Sequence, residues 1–312
     1  GNRQALAEKP QAVFDVCPSP PLIWSDFGAG NLIELARARV PAELISMPLA
    51  GAAAPVTLIG SIVQHAAESL SGIAIHQLSN PGAPIVWGGA PAIFDMRRGT
   101  TPMGAIETGT TPMGAIETAM IDAAYAQVGK SLNLPTHAYL GASDAKIVDA
   151  QAGLEGGVTA LVGALAGINM ISGAGMLDFL ACQSAEKLVV DAEAIGMAKR
   201  LLTGLEVQTK TLATALFEGI NFKADFLKQK VTRELFSKEQ YLPSTVIDRD
   251  SIRGWQAAGS LDTFARAKVR TAQLVSEYRR PHRAIEQERE LRAMVESLAR
   301  TAGMARLPEL DD

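Results

Sequence analysis

The sequence predicts an α/β fold of the TIM (β/α)8-barrel type, incomplete on its N-terminal side and followed by a C-terminal helical extension. Short apolar, β-rich runs alternate with long Ala/Leu/Ile-rich helical runs, the pattern of a parallel sheet covered by helices. Several strand candidates also end in Gly or in a polar cluster, which suits short βα loops. Strand candidates are 12–17, 43–47, 84–88, 136–141, 168–173 and 188–193, each short and mostly apolar as a strand buried on both faces should be. Helix candidates are 27–39, 57–78, 115–132, 147–166 and 193–217. These strands fall short of a complete barrel, so the chain is expected to begin inside a larger one. An open doubly wound sheet competes, but Gly28-Ala29-Gly30 is a lone, incomplete G-x-G rather than a phosphate-binding turn.

The 312 residues are 47% hydrophobic and 20% charged, with enough apolar material for a full core and too little charge for disorder. Mean hydropathy is +0.12. A formal charge of −4 argues against a nucleic-acid footprint over the whole surface. Cys17 and Cys182 are too few and too far apart for a disulfide framework or a thiolate zinc site, so a reducing cytoplasmic home is the default. The longest apolar stretch, 154–176, is broken by Glu155, Asn169 and glycines, and no membrane span is predicted. Gly1 stands where an initiator Met would and reads as a tag remnant; the segment after it lacks a signal-peptide layout.

The barrel domain is expected over 1–247 and the helical extension over 248–312. In the extension, Arg249, Arg253, Arg266, Lys268, Arg270, Arg279, Arg280 and Arg283 follow closely, and Pro281 separates helices predicted at 261–279 and 284–302. A solvated helical appendage explains them; a basic docking face for an acidic partner is the functional alternative. Residues 99–108 recur letter for letter as 109–118. Ten residues are too few for a solenoid unit, so the copy is read as a duplication in a loop, its second half leading into a helix at Ala119.

Several segments then stop looking generic. In chain order they are Met47-Pro48-Leu49-Ala50-Gly51, Asn80-Pro81-Gly82-Ala83-Pro84, Gly88-Gly89, Asp95-Met96-Arg97-Arg98-Gly99, Gly141-Ala142-Ser143-Asp144-Ala145-Lys146, Ser172-Gly173-Ala174-Gly175-Met176-Leu177-Asp178 and Glu186-Lys187-Leu188-Val189-Val190-Asp191. Together they resemble the trimethylamine methyltransferase (MttB-like) superfamily, from about Leu22 to Ala265. The resemblance implies a TIM barrel that moves a methyl group from a methylated amine to the cobalt of a separate corrinoid protein, with no cofactor bound directly. Members acting on trimethylamine carry pyrrolysine, which is absent here, so the resemblance is to the branch acting on quaternary amines. Members also commonly carry His-Thr after Phe-Leu, whereas Asp225-Phe226-Leu227 is followed here by Lys228-Gln229-Lys230-Val231-Thr232, which removes a polar substrate ligand.

A quaternary ammonium nitrogen is already a leaving group, so the chemistry asks for positioning, electrostatics and exclusion of water. Carboxylates and aromatic faces at C-terminal strand ends are the suitable walls. Candidate catalytic residues are Glu193 and Asp144. Asp191 and Glu193 alternate on the predicted last strand, so only one faces inward, and Glu193 is preferred. Asp144 also suits an N-cap for the helix beginning near Lys146. Candidate substrate-binding residues are Asp95, Arg97, Trp87, Tyr139, Lys146 and Asp191. A loop-fixing salt bridge is the structural alternative for Asp95 and Arg97, and core packing for Trp87 and Tyr139. Gln151 and Glu155, four apart, suit surface pairing. Gly173 and Gly175 are candidates for a small-residue barrel mouth against which a corrinoid lies. His65, His76 and His137 lack ligand spacing, so no metal is expected. Partners are a corrinoid protein and a small methylated amine, with neither nucleic acid nor membrane. An unfilled barrel edge makes a homo-oligomer the expected assembly. Lys146 admits a Schiff-base lyase, and a catalytically silent amine- or corrinoid-protein-binding paralogue is a third reading.

Overall fold

A computed structural model describes residues 3–95, 97, 112–207, 214–218, 226–279 and 285–307. Its strands are β1 (Phe14–Val16), β2 (Ala42–Ser46), β3 (Leu49–Ala50), β4 (Ile85–Gly89), β5 (Ala92–Ile93), β6 (His137–Ala138), β7 (Met170–Ile171), β8 (Met176–Leu177) and β9 (Cys182–Gln183). The helices are α1 (Arg3–Glu8), α2 (Asp26–Ala38), α3 (Leu58–Ser79), α4 (Ile116–Ser131), α5 (Ala150–Leu165), α6 (Ala185–Thr203), α7 (Lys230–Glu239), α8 (Ile252–Ala257), α9 (Thr263–Glu277) and α10 (Ile285–Thr301). The chain divides into two compact units, Gly1–Thr271 and Ala272–Asp312.

In the larger unit β1, β2 and β4 form a parallel sheet, and β6 pairs in parallel with β7. A single parallel bridge from Trp87 to Thr136, just ahead of β6, links the two sets. The strands of this arc therefore lie side by side in chain order, with α2, α3, α4 and α5 in the successive crossovers. Among the described residues that order shows no reversal of the kind that defines a doubly wound sheet. Among the described residues the arc does not close into a barrel.

Local chemistry fixes the helix ends. Ser25 caps α2 by accepting from Gly28 N, and Asp149 caps α5 by accepting from Gln151 N and Ala152 N. Ser184 accepts from Lys187 N to start α6, which stops at Gly204. Residues 188–193 are thus helical, where the sequence predicted a strand, and the helix predicted at 193–217 begins earlier. A Ser N-cap, Glu186 in the first turn and a Lys187–Asp191 contact at i,i+4 are helical features that outweigh a short β-branched run.

The helix-facing side of the arc holds the core. Leu32, Ala42, Leu44 and Ile85 pack under α2 and α3. Trp87, fully buried, joins Ile121, Tyr125 and Ala126 of α4 and donates its indole N–H to Tyr125 O at 3.0 Å. Among the described residues α3 is the one helix long and apolar enough to cross a membrane. Its buried side is nevertheless polar, with Ser61, Gln64, His65, Glu68, Ser69 and His76 all buried. The Glu68 carboxylate accepts from Ser46 Oγ at 2.6 Å, Leu22 N at 2.9 Å and Gln64 Nε2 at 2.9 Å, tying α3 to the end of β2 and to the approach to α2. His65 stacks on Tyr125 at 4.1 Å and donates Nε2–H to Gly88 O at 2.9 Å. Burial pulls His65 down to about 4, so it is neutral at neutral pH.

The second copy of the repeat enters α4, where Thr118 Oγ1 donates to Pro112 O at 2.7 Å. Residues 99–111 lie outside the described residues, as do Gly1, Arg280, Pro281 and Arg283. In the smaller unit α10 carries Glu286 and Glu288 in its first turn and Arg300 in its last, the order its dipole favours.

Asp122 on α4 is buried, and burial holds its carboxyl well above the usual range. A folded-state value raised above the unfolded one gives stability that is present below the ordinary carboxylate range and is lost as pH rises. Asp122→Asn should therefore raise Tm by about 2 °C or more at pH 8, with the gain shrinking towards pH 4. Thermal melts across that range check this, and a pH-independent difference contradicts it.

Candidate functional site

Parallel pairing sets Asp15 beside Glu43, and Glu43 beside Val86. Because strand side chains alternate, the helix-facing assignments of Leu44, Ser46 and Trp87 send Glu43, Ile45 and Gly88 to the opposite, inner face. There Glu43 reaches across β4 above Gly88. A Cβ added at position 88 would lie 2.7 Å from Glu43 Oε1, so only glycine leaves the passage open. On the far side His137 Nδ1 stands 2.5 Å from Glu43 Oε1, off the line of an ordinary hydrogen bond. His137 Nε2 lies 2.6 Å from Ser172 Oγ. The Tyr139 ring meets the His137 ring edge-on at 5.0 Å, and its hydroxyl donates to Asp15 Oδ2 at 3.1 Å.

The middle of this row is dry and its ends are wet. Glu43 and His137 are each 2% exposed, whereas Asp15 and Ser172 are exposed. Burial raises Glu43, with His137 opposing that rise and Asp15 adding to it. Burial and then Asp15 push Tyr139 well above its usual value, and the same two causes raise Cys17. The arrangement is an inner face that carries two carboxyl groups, Asp15 and Glu43, and one aromatic wall, Tyr139. Among the described residues no group of three or more His, Cys, Asp or Glu side chains is placed to hold a metal ion.

The sequence-derived candidates fall elsewhere, Tyr139 excepted. Trp87 lies behind the sheet against α4, because alternation turns it away from Glu43 and Gly88. Asp95 and Arg97 bind each other, with Arg97 Nη2 2.9 Å from Asp95 Oδ2 and Arg97 N donating to Asp95 Oδ1. Asp144 does not cap α5; its Oδ1 accepts from Met113 N at 2.9 Å and Gly114 N at 3.2 Å, fixing the entry to α4. Burial raises Asp144 to about 6, against the pull of the Gly114 amide. Gln151 donates to Glu155 Oε1 at 2.8 Å, while Glu155 Oε2 accepts from Ser143 Oγ at 2.6 Å and Asp144 N at 2.8 Å. Lys146 is exposed, pairs with Asp178 at 3.0 Å and lies 3.9 Å over the Phe179 ring. An exposed, ion-paired ammonium is the opposite of the desolvated lysine that Schiff-base chemistry uses.

Asp191 and Glu193 lie on α6 and not at a strand end. Two residues apart on a helix, they point to opposite sides. Asp191 Oδ2 accepts from the fully buried Lys187 Nζ at 2.5 Å and from Gly175 N at 2.7 Å, and Lys187 Nζ also donates to Gly141 O at 2.9 Å. This ion pair clasps the loops that follow β6 and β7. Glu193 accepts from Tyr241 Oη at 2.8 Å and Ser244 N at 3.0 Å, holding the segment after α7. The missing side chain of Gly173 makes room for this chain's own backbone, since a Cβ there would lie 2.5 Å from Leu140 O. Gly175 is glycine because its φ is +84°. Asp225 lies outside the described residues, and Val231 and Thr232 lie on α7.

Asp15, Glu43, His137 and Ser172 were not singled out as a group by sequence reasoning. The available signal was a charged residue, Glu43, followed directly by the apolar Leu44 and Ile45 in one short strand, with Gly88 opening the adjacent strand.

Fold and site together define an α/β protein whose parallel arc carries two carboxyl groups and an aromatic ring on its inner face. The chain belongs to the trimethylamine methyltransferase family, whose model, MTTB, it matches over residues 1–304. It is 35% identical over 280 residues to trimethylamine methyltransferase MttB of Methanosarcina thermophila, covering 89% of this chain and 55% of that protein. Identity to MttB of Methanosarcina barkeri is 37% over 273 residues, 86% of this chain and 52% of the relative. To glycine betaine methyltransferase of Desulfitobacterium hafniense it is 31% over 304 residues, 97% of this chain and 61% of the relative. The chain thus spans little more than half the length of these relatives.

Removing one member of a buried ion pair strands the other. Lys187→Met should cost about 3–5 kcal/mol, and the double change Lys187→Met with Asp191→Leu should recover much of it. Denaturant unfolding of both variants checks this; equal losses would mean the pair is not a unit.

Proposed function

We propose that this chain holds a methylated amine on the inner face of the arc and presents one N-methyl group to the cobalt(I) of a corrinoid carried by a separate protein. Supporting this are membership of the family, the names of relatives that act on trimethylamine and on glycine betaine, and the inner face formed by Asp15, Glu43 and Tyr139. The last is the observation that carries the reading, because a cation needs exactly such a lining of carboxylate and ring. We further propose that the arc is part of a (β/α)8 barrel, which would put this lining inside the barrel.

The corrinoid supplies the nucleophile that takes the methyl group. Asp15 and Tyr139 hold the ammonium at the exposed end of the row, and Glu43, fixed by His137, adds charge from below. As the methyl leaves, the C–N electron pair stays on nitrogen, so the positive charge facing Asp15 disappears. A quaternary ammonium is the favoured form because its departure needs no proton donor. The walls must therefore orient the cation without holding it so tightly that neutralisation is opposed. Asp144, Glu193 and the Lys187–Asp191 pair position the surrounding loops.

The test is decay of the Co(I) absorbance in a reduced corrinoid carrier on mixing with the protein and trimethylamine, glycine betaine or tetramethylammonium. Decay with at least one amine is expected, and Asp15→Asn should lower kcat/KM by about 10- to 100-fold, since 1.4 kcal/mol is tenfold. No decay with any of the three, with a carrier active towards another methyl donor, sinks the reading and favours a silent paralogue.

A further inference from the structure

We propose that two copies of this chain pair through α3, the helix of one lying antiparallel along the same helix of the other. The inference is independent of the methyl-transfer reading and rests on the outward face of this one helix.

α3 is turned inside out. A surface helix ordinarily points apolar residues at the core and charged ones at water. Here the titratable groups of the helix, His65, Glu68 and His76, are all buried. Six apolar residues, Ile59, Val63, Ala67, Leu70, Ala74 and Leu78, are exposed instead. They form a stripe about 100° wide, the width that normally faces a core. Ile59, Val63 and Leu78 are 69%, 64% and 86% exposed. Ser71 is exposed among them, but its hydroxyl is engaged, donating to Glu68 O at 2.8 Å and accepting from the Trp24 indole at 3.1 Å.

The stripe is its own complement. Its successive spacings are 4, 4, 3, 4 and 4 residues, so it reads the same from either end. An antiparallel copy therefore sets Ile59 against Leu78, Val63 against Ala74 and Ala67 against Leu70, and each pairing occurs twice. In the middle a small residue always faces a larger one, which lets the two helices approach and leaves no gap. A parallel copy would set Ala67 on Ala67 and Leu70 on Leu70, a void beside a collision. No charge lies on the stripe, so nothing in it repels a second copy or calls for a partner of opposite sign.

The area suffices for a reversible dimer. A stripe about 29 Å long and about 10 Å wide covers roughly 600 Å² over both copies. Leu22 and Ile23, 63% and 56% exposed, lie along its edge, where Leu22 N donates to Glu68 Oε1 and the neighbouring Trp24 indole reaches Ser71. Each adds about 100 Å² per copy, which brings the contact to roughly the 1,000 Å² that a specific interface needs. A lipid surface is the rival occupant. Helices that lie on membranes carry Lys and Arg beside the apolar face; α3 has neither, and its polar side is packed into the protein.

Sedimentation equilibrium of the whole chain, from about 1 to 100 µM, tests this. A mass rising from 32.9 kDa towards twice that value is expected. Ala67→Arg, at an exposed helical position, should leave Tm unchanged and weaken association by about 100-fold or more. With Cys17→Ser and Cys182→Ser as background, oxidising a mixture of Val63→Cys and Ala74→Cys chains should give a cross-linked heterodimer. Val63→Cys alone should not cross-link, because antiparallel packing holds its two copies about 16 Å apart along the axis. This cysteine pair decides the matter if Ala67→Arg does not fold. A chain that stays monomeric throughout overturns the proposal, as does a dimer that Ala67→Arg leaves intact or that Val63→Cys alone cross-links. Flotation of a monomeric chain with phosphatidylcholine–phosphatidylglycerol vesicles, lost in Ala67→Arg, overturns it in favour of a lipid surface.

Discussion

The structure depends on the in-register parallel pairing of β1, β2 and β4. Register decides which side chain of each strand meets the helices and which meets the inner face, and a slip of one residue exchanges the two sets. In the observed register Leu44 and Trp87 enter the core and Ser46 reaches Glu68 of α3. The same register stands Asp15 beside Glu43 and opens Gly88 beneath the Glu43 side chain. Core and site are two faces of one alignment.

Carboxylates do several jobs in this chain, and burial separates them. Asp95 with Arg97 is a local pair whose cation is exposed and screened by water, so it fixes the loop more than it stabilises the fold. Asp191 with Lys187 is buried, and it is tolerable because Gly175 N and Gly141 O satisfy the remaining groups. Asp144, Glu68 and Glu193 accept backbone N–H groups from distant segments and so fix loops to helices. Asp15 and Glu43 differ in standing on neighbouring strands in register.

Alternation of strand and helix was legible because it is a local property. The first strands and α2 to α5 lie within a few residues of their predicted places, since apolar runs, Ser25 and Asp149 mark them directly. Residues 188–193 misled because six apolar-rich residues suit either element, and the deciding evidence, a cap at Ser184 and a salt bridge one turn apart, flanks the run. Tyr139 was visible as an aromatic near a strand end. The row it joins was not, because Asp15, Glu43, His137 and Ser172 are brought together only by pairing between strands far apart in the chain. Trp87 takes its core-packing reading rather than its substrate-binding one, because position near a strand end says nothing of which face a side chain takes.

Gly88 ties the history of one position to that of two others. Any descendant that acquires a side chain there must first, or at the same moment, give up the reach of Glu43 to His137. Conversely, once that contact is lost the requirement for glycine lapses and the position is free to drift. Glycine 88 is therefore a one-letter record of whether the inner row is intact, readable from sequence alone in any relative that shares this strand order.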